Sequence, residues 1–351
     1  MTNSVSVNSP RKNKKQLPAP VRAGVSNPFS RRNFLKGALQ AAVGSFLMTR
    51  PGQGHAKAVE PEKRRRQPLA TLIDIRRCVG CEACVEACRK VNGPDFPRPE
   101  KPFPRMFPDR VPVEDWSDRQ SVSDRLTPYN WLYIQKTTID IDGAPVELNI
   151  PRRCMHCDNP PCVKLCPWGA ARQEPSGLSW INADICLGGS KCNKVCPWDI
   201  PQRQTGVGLY LDLLPAFAGN GVMYKCHRCH TRIEKGKVPA CIEACPANVQ
   251  IIGPKKQIIQ KARALARQQK GYIYGAAENG GTGTIYVSPV PFDVLHQATA
   301  SGKGRPGFQS VKNYMADTAM AARSLLIAPV AGIAAALGRV YLSGRASAGD
   351  E

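Results

Sequence analysis

Cys78-Val79-Gly80-Cys81-Glu82-Ala83-Cys84-Val85-Glu86-Ala87-Cys88 puts four thiols within eleven residues. The intervals are two, two and three residues. In such a run three ligands of one loop converge on a polynuclear iron-sulfur centre, while a helix starting near Cys84 turns the fourth toward a second centre. A tetrahedral zinc site takes its four ligands in two widely spaced pairs instead. The stretch therefore predicts paired cubane clusters that share ligands.

Three further cysteine groups follow. The second is Cys154-Met155-His156-Cys157-Asp158-Asn159-Pro160-Pro161-Cys162-Val163-Lys164-Leu165-Cys166-Pro167, in which Pro167 has no N–H to donate and helps end the ligand-bearing helix. The third is Cys186-Leu187-Gly188-Gly189-Ser190-Lys191-Cys192-Asn193-Lys194-Val195-Cys196-Pro197, with Gly189 at the second ligand position. The fourth opens with Cys226-His227-Arg228-Cys229, continues through an eleven-residue insertion and closes with Cys241-Ile242-Glu243-Ala244-Cys245-Pro246. In bacterial ferredoxin runs the last cysteine binds the neighbouring cluster. Crossing the last ligands in this way assigns Cys78, Cys81, Cys84 and Cys245 to one 4Fe-4S cluster, and Cys226, Cys229, Cys241 and Cys88 to its partner. Cys154, Cys157, Cys162 and Cys196 form a third 4Fe-4S set. Cys186, Cys192 and Cys166 remain, three ligands that suit a 3Fe-4S cluster of higher reduction potential. Ser190 or Asp184 could supply an oxygen ligand instead, or water could complete a fourth 4Fe-4S cluster.

Length and charge narrow the class. A chain of 351 residues can bury a core without disulfide staples, and its odd count of fifteen cysteines suits thiolate ligands better than bridges. The formal charge of +22 is inflated by residues 1–58, which hold ten basic residues and no acid. The remainder carries 39 basic and 27 acidic residues, a formal +12, and four oxidised clusters would offset roughly eight of those charges. No basic groove interleaved with aromatics is present, which argues against nucleic acid as a partner.

Taken in order, residues 1–58 resemble a twin-arginine export signal: Ser30-Arg31-Arg32-Asn33-Phe34-Leu35-Lys36, a modest apolar run, then Ala56-Lys57-Ala58. Residues 59–92 and 223–270 form one expected ferredoxin-like unit, holding the first and fourth cysteine groups. Residues 131–222 form the other, holding the second and third. A strand is expected at 72–75, a hairpin over 131–150 turning at Asp142-Gly143, and a second turn at Glu174-Pro175-Ser176-Gly177. Residues 93–130 are a Pro-rich insertion that either orders on docking or forms a surface loop. Helical spacing over 257–269 predicts an amphipathic helix with Ile258, Ile259, Ala262, Leu265 and Ala266 inward. Residues 271–316 suggest an irregular tail, whose glycines lack the context of a nucleotide loop. Within 317–342, fifteen uncharged residues between Arg323 and Arg339 suggest a C-terminal apolar helix, a membrane anchor or a partner-docking element. The fold class is α+β: two bacterial-ferredoxin-like units with four Cys motifs, long loop insertions and that C-terminal helix.

His156, His227 and His230 lie in or beside ligand loops and are expected to hydrogen-bond sulfur or solvent rather than iron. Trp168 and Trp198, each after a Cys-Pro, are expected to keep water from a cluster. No nucleophile-base or carboxylate pair stands out, so the chain by itself is not assigned catalysis.

On these four groups, over about residues 70–255, the chain resembles the four-cluster iron-sulfur electron-transfer (beta-type) subunits of membrane-bound respiratory complexes. The twin-arginine signal, the Cys-Met-His-Cys group and the apolar tail look most like the periplasmic iron-sulfur subunit of membrane-bound nickel-iron uptake hydrogenases. Gly189 departs from that pattern, whose third group usually has four cysteines. It is similar instead to nitrate-reductase-type beta subunits, where a non-cysteine at that position accompanies a 3Fe-4S cluster on the membrane side. The resemblance implies a relay of single electrons between a periplasmic catalytic subunit, hydrogenase-like, and a polytopic quinone-reacting membrane subunit, at the periplasmic face of the cytoplasmic membrane. A molybdenum-enzyme-type or cytochrome-linked quinone oxidoreductase is the alternative complex. A structural or assembly iron-sulfur protein is the reading of a different class, separated from the relay by whether a physiological donor or quinol reduces the clusters.

Overall fold

The computed structural model describes residues 67–213 and 220–316. The chain divides into two units, Met1–Lys63 and Arg64–Glu351, and every described residue lies in the second. The expected export signal and the apolar helix expected within 317–342 lie outside the described residues. Among the described residues no helix is long and apolar enough to cross a membrane.

In chain order the elements are β1 (Leu69–Asp74), α1 (Ala83–Asn92), β2 (Tyr133–Ile141), β3 (Ala144–Arg152), α2 (Pro161–Lys164), β4 (Ala171–Gln173), β5 (Ser179–Ile181), α3 (Lys191–Lys194), β6 (Gln202–Gln204) and α4 (Leu209–Leu213). They continue with β7 (Val222–Tyr224), α5 (His230–Glu234), α6 (Ala240–Glu243), β8 (Gln250–Pro254), α7 (Lys255–Gln269), β9 (Tyr272–Tyr274), β10 (Thr284–Ser288) and α8 (Phe292–Ala298). Both expected turns join antiparallel pairs. Asp142-Gly143 connects β2 to β3, with Tyr133 opposite Arg152, and the 174–177 turn connects β4 to β5.

One four-stranded sheet, in the order β8-β1-β10-β9, holds the ends of the chain together. β1 runs antiparallel to β8 and parallel to β10, Thr71 facing Thr284 and Ile73 facing Tyr286. The alternation of a strand sends Ala70, Leu72, Ile285 and Val287 to one face, where Ile258, Ala262 and Ala266 of α7 cover them. Ile73 and Tyr286 point the other way, into the core that contains most of the cysteines. The apolar face of α7 starts at Ile258 as its spacing predicts. Ile259 and Leu265 lie at the margin, half-buried.

The segment 271–316 corrects the expectation of an irregular tail, because it supplies β9, β10 and α8. The local cue was weak, since β10 is only five residues long, and its burial on both faces comes from pairing with β1 over two hundred residues earlier. The insertion 93–130 is ordered against the body. Trp116 N donates to Gln204 Oε1 at 2.8 Å, Glu114 and Thr205 exchange backbone and side-chain bonds at 2.9 Å, and Arg203 donates to Pro112 O at 2.6 Å. Its proline-rich backbone leaves few bonds to make internally, and β6 supplies the partners.

Candidate iron-sulfur sites

The short ligand helices pack in two pairs: α1 on α6, carrying cysteines of the first and fourth groups, and α2 on α3, carrying those of the second and third. One cavity is lined by Cys78, Cys81, Cys84 and Cys245, closed by Ile134, Pro151 and Val249. A second is lined by Cys154, Cys157, Cys162 and Cys196, with Trp198, Ile200 and Lys225 in its wall. Cys88 faces Cys241, Cys226 and Cys229, and burial followed by these three thiols pushes its own thiol well up. Cys192 is held high by burial and by thiols that include Cys186 and Cys166. Two sets of four cysteines thus line cavities, Cys88 lies with Cys226, Cys229 and Cys241, and Cys186 and Cys166 lie near Cys192; these are referred to as the first site (Cys78), the third (Cys154), the second (Cys226) and the fourth (Cys186). The sites succeed one another in space: Cys84 neighbours Cys241, Cys226 neighbours Cys154, and Cys192 neighbours Cys162.

These sets fit clusters rather than single ions. Ligands of a cubane stand on its corners around a volume, as the two cysteine-lined cavities do. Burial pushes the thiols of Cys84 and Cys196 up to about 12 and those of Cys162 and Cys226 to about 11, so thiolates there need positive charge between them. Iron provides it.

The third cysteine group repeats the backbone of the first. A 3-10 turn precedes each, and Cys78 N and Cys186 N donate back to Ile75 O at 3.1 Å and Ala183 O at 3.3 Å. Gly80 and Gly188 take φ of +70° and +63°, and Glu82 and Ser190 take 59° and 54° ahead of their helices. Gly189 therefore stands where Cys81 stands. Both positions are exposed, and a Cβ built on Gly189 meets nothing within 4 Å. Ser190 Oγ donates to Gly188 O at 3.3 Å and approaches Met223 Sδ at 3.4 Å. Asp184 is exposed at the margin of a cleft lined by Trp131, Trp180, His227 and His230.

His156 and His227 are held by backbone and aromatic contacts. His156 Nδ1 accepts from Ser179 N at 3.1 Å, pinning β5 to the second group, and burial followed by Arg228 and Lys225 holds the ring well below its ordinary value. His227 packs edge-on to Trp131, with centroids 5.1 Å apart, and to His230 at 5.0 Å. Burial, then His230, pushes it down to about 4. Trp198 is 1% exposed and donates to Tyr274 Oη at 2.8 Å, as a wall residue should. Trp168 is 61% exposed, because the turn after Cys166 lies at the surface, so the structure does not bury it as it buries Trp198.

The wall of the third site also uses residues with no local signal. Thr284 Oγ1 donates to Cys154 O at 3.0 Å, Gly283 N to His156 O at 2.8 Å, and Asp158 N to Gly281 O at 3.0 Å. Asn279 is fully buried beside Cys157. These residues reach the site only because β10 pairs with β1.

Comparison with known proteins identifies iron-sulfur relatives. 4Fe-4S dicluster domains match residues 77–170 and 146–255. The probable anaerobic dimethyl sulfoxide reductase chain YnfG of Escherichia coli (strain K12) is 31% identical over 197 residues, 56% of this chain and 78% of the relative. The chain belongs to the beta-type iron-sulfur electron-transfer subunits. This electron-transfer subunit is also 29% identical over 308 residues to the hydrogenase-2 operon protein HybA of Escherichia coli O157:H7, covering 76% of the chain and 83% of the relative. A tetrathionate reductase subunit of Salmonella typhimurium (strain LT2) is 28% identical over 266 residues, 74% of this chain and 87% of that one.

Proposed function

We propose that the subunit relays single electrons through three 4Fe-4S clusters and one 3Fe-4S cluster. In this reading Cys78, Cys81, Cys84 and Cys245 hold the first, Cys88, Cys226, Cys229 and Cys241 the second, Cys154, Cys157, Cys162 and Cys196 the third, and Cys166, Cys186 and Cys192 the three-iron cluster. The clusters supply one-electron redox chemistry when bound. The chain's own residues space them in sequence, exclude water and fix the charge around each. The observation that carries the reading is the succession of four thiol groups, the last of which repeats the backbone of the first with Gly189 in place of Cys81.

Export by the twin-arginine route would put the subunit at the periplasmic side of the cytoplasmic membrane, between a catalytic subunit and a quinone-reacting membrane subunit. The extent of the HybA match supports a hydrogenase as the catalytic partner. Gly189 and the reductase relatives support a molybdenum-enzyme-type complex as the second reading. Co-purification of the tagged subunit separates them by the metal of the large partner, nickel or molybdenum.

The inventory is tested by iron and sulfide analysis together with EPR of the full-length protein. The oxidised protein is expected to give a 3Fe-4S signal that Gly189→Cys abolishes, with one more iron per chain. Retention of the three-iron signal after that substitution would sink the assignment.

A further inference from the structure

Arg153 and Lys225 hold equivalent places, each immediately before the first cysteine of its group, Cys154 and Cys226. Each reaches across to the other group. Arg153 Nη1 donates to Cys241 Sγ at 2.9 Å, in the second site, and Lys225 Nζ donates to Cys154 Sγ at 3.6 Å, in the third. A third cation, Arg228, lies between Cys226 and Cys229 and turns its guanidinium toward Gly283 O at 2.9 Å and Thr284 Oγ1 at 2.7 Å.

All three are buried, Arg153 and Arg228 at 1% exposure and Lys225 at 5%. None forms an ion pair with an Asp or Glu among the described residues. Their other partners are neutral: Lys225 donates to the Ser179 carbonyl, to Ser179 Oγ at 3.2 Å and to Cys226 O at 3.3 Å. Such contacts solvate a cation without neutralising it, and a buried cation without a counter-charge is strongly unfavourable. The sulfur side supplies that charge.

At the outer sites no charged side chain donates a hydrogen bond to a ligand sulfur among the described residues. Among the described residues their sulfurs receive backbone N–H groups, from Val249 to Cys245 at 3.3 Å, from Ala171 to Cys166 at 3.5 Å and from Met223 to Cys186 at 3.5 Å. A charged donor at a ligand sulfur stabilises the more negative, reduced cluster more than the oxidised one, which raises the reduction potential.

We propose that Arg153 and Lys225 are a cross-donated pair of positioning charges that raise the reduction potentials of the two inner clusters and balance the negative charge between them. The inference rests on the ligand assignment of the proposed function. Arg153, which leads the second cysteine group, acts on the cluster bound by Cys241; Lys225, which leads the fourth, acts on the cluster bound by Cys154.

The test is an EPR-monitored redox titration of the full-length, iron-loaded protein and its Arg153→Met and Lys225→Met variants. Each variant is expected to lower one four-iron midpoint, a different one in each, by at least the equivalent of a tenfold change in the reduced-to-oxidised ratio, about 59 mV for one electron. The remaining four-iron midpoint and the three-iron midpoint stay in place. Arg153→Lys and Lys225→Arg keep the charge but move it relative to sulfur, and are expected to give a smaller shift confined to the same cluster. Iron content and the number of EPR components on the same samples report on the ligand assignment independently of any potential. Full iron with unmoved midpoints, or an equal shift at all clusters, would overturn the inference. If a Met variant fails to load iron, the charge-keeping variants decide, and no shift in either overturns it.

Discussion

The loops 78–88 and 186–196 turn through the same backbone angles, but different things press on them. A Cβ on Gly80 would meet the Asn149 side chain at 2.5 Å, whereas one on Gly188 would meet Gly221 O at 2.4 Å and Asn220 O at 2.6 Å, both backbone. The first loop is open to solvent, with Val79 70% exposed beside Cys81. The third is tied down from behind, where Arg203 donates to Gly188 O at 3.2 Å and to Pro112 O of the insertion at 2.6 Å. Of these two loops, the one with glycine at the second ligand position is the one tied to the insertion. A missing second cysteine reflects the chemistry of one position, not a loop that has fallen apart.

The largest effect expected is an exchange of cluster type. If the loops are equivalent, Cys81→Gly should convert the first cluster to a three-iron form just as Gly189→Cys converts the fourth to a four-iron form, both read by EPR. Loss of the first cluster altogether in Cys81→Gly would show that the first loop depends on its fourth ligand in a way the third does not.

Substituting the turn glycines sharpens the contrast in surroundings. Gly80→Ala forces a left-handed alanine against a movable side chain, at about 1–2 kcal/mol. Gly188→Ala adds a backbone collision and is expected to cost more than about 3 kcal/mol. Denaturant unfolding of the iron-loaded variants measures the difference, and equal losses would contradict it.

Arg203→Ala removes the tie between the third loop and the insertion. The change is expected to cost on the order of 2 kcal/mol, because Gly188 O and Pro112 O lose a buried donor. Limited proteolysis should then cut within 93–130 while sparing the first loop.

The smallest effect is a pH dependence of that same insertion. Burial alone would raise the Asp115 carboxyl, but hydrogen bonds from Gln204, Lys101 and Ser117 hold it well below the usual carboxylate range. A depressed folded value means the contribution is complete above the unfolded value near ~3.9 and is lost as pH falls through the folded one. Proteolytic protection of 93–130 should therefore persist down to about pH 4 and fall only in stronger acid. Asp115→Asn should weaken protection at neutral pH, and unchanged protection there would remove Asp115 from the account.

Much of the candidate site was legible because cluster ligation is local. Three of the four ligands of a cubane come from one loop, so the spacing of Cys78, Cys81 and Cys84 carries the chemistry without reference to distant chain. The Asp142-Gly143 hairpin and the Ile258, Ala262, Ala266 face of α7 were legible for the same reason, since a two-residue turn and a helical stripe are each written in a few neighbouring residues. The wall of the third site was not. Asn279, Gly283 and Thr284 belong to a glycine-rich stretch with no local pattern, and parallel pairing of β10 with β1 delivers them to Cys154 and Cys157. Nor was Trp168 distinguishable from Trp198, because both follow a Cys-Pro and only the packing of Tyr274 against Trp198 separates a buried wall from an exposed ring.

The sequence by itself determined the four cysteine groups, the turn at each loop and the glycine at position 189, because covalent spacing and glycine backbone freedom act over a few residues. The tertiary structure decided which sulfurs face a buried cation and which face backbone amides. Arg153 and Lys225 look like ordinary basic residues in the chain. They become paired, buried charges only when the second and fourth cysteine groups fold against each other and water, which would otherwise solvate them, is excluded.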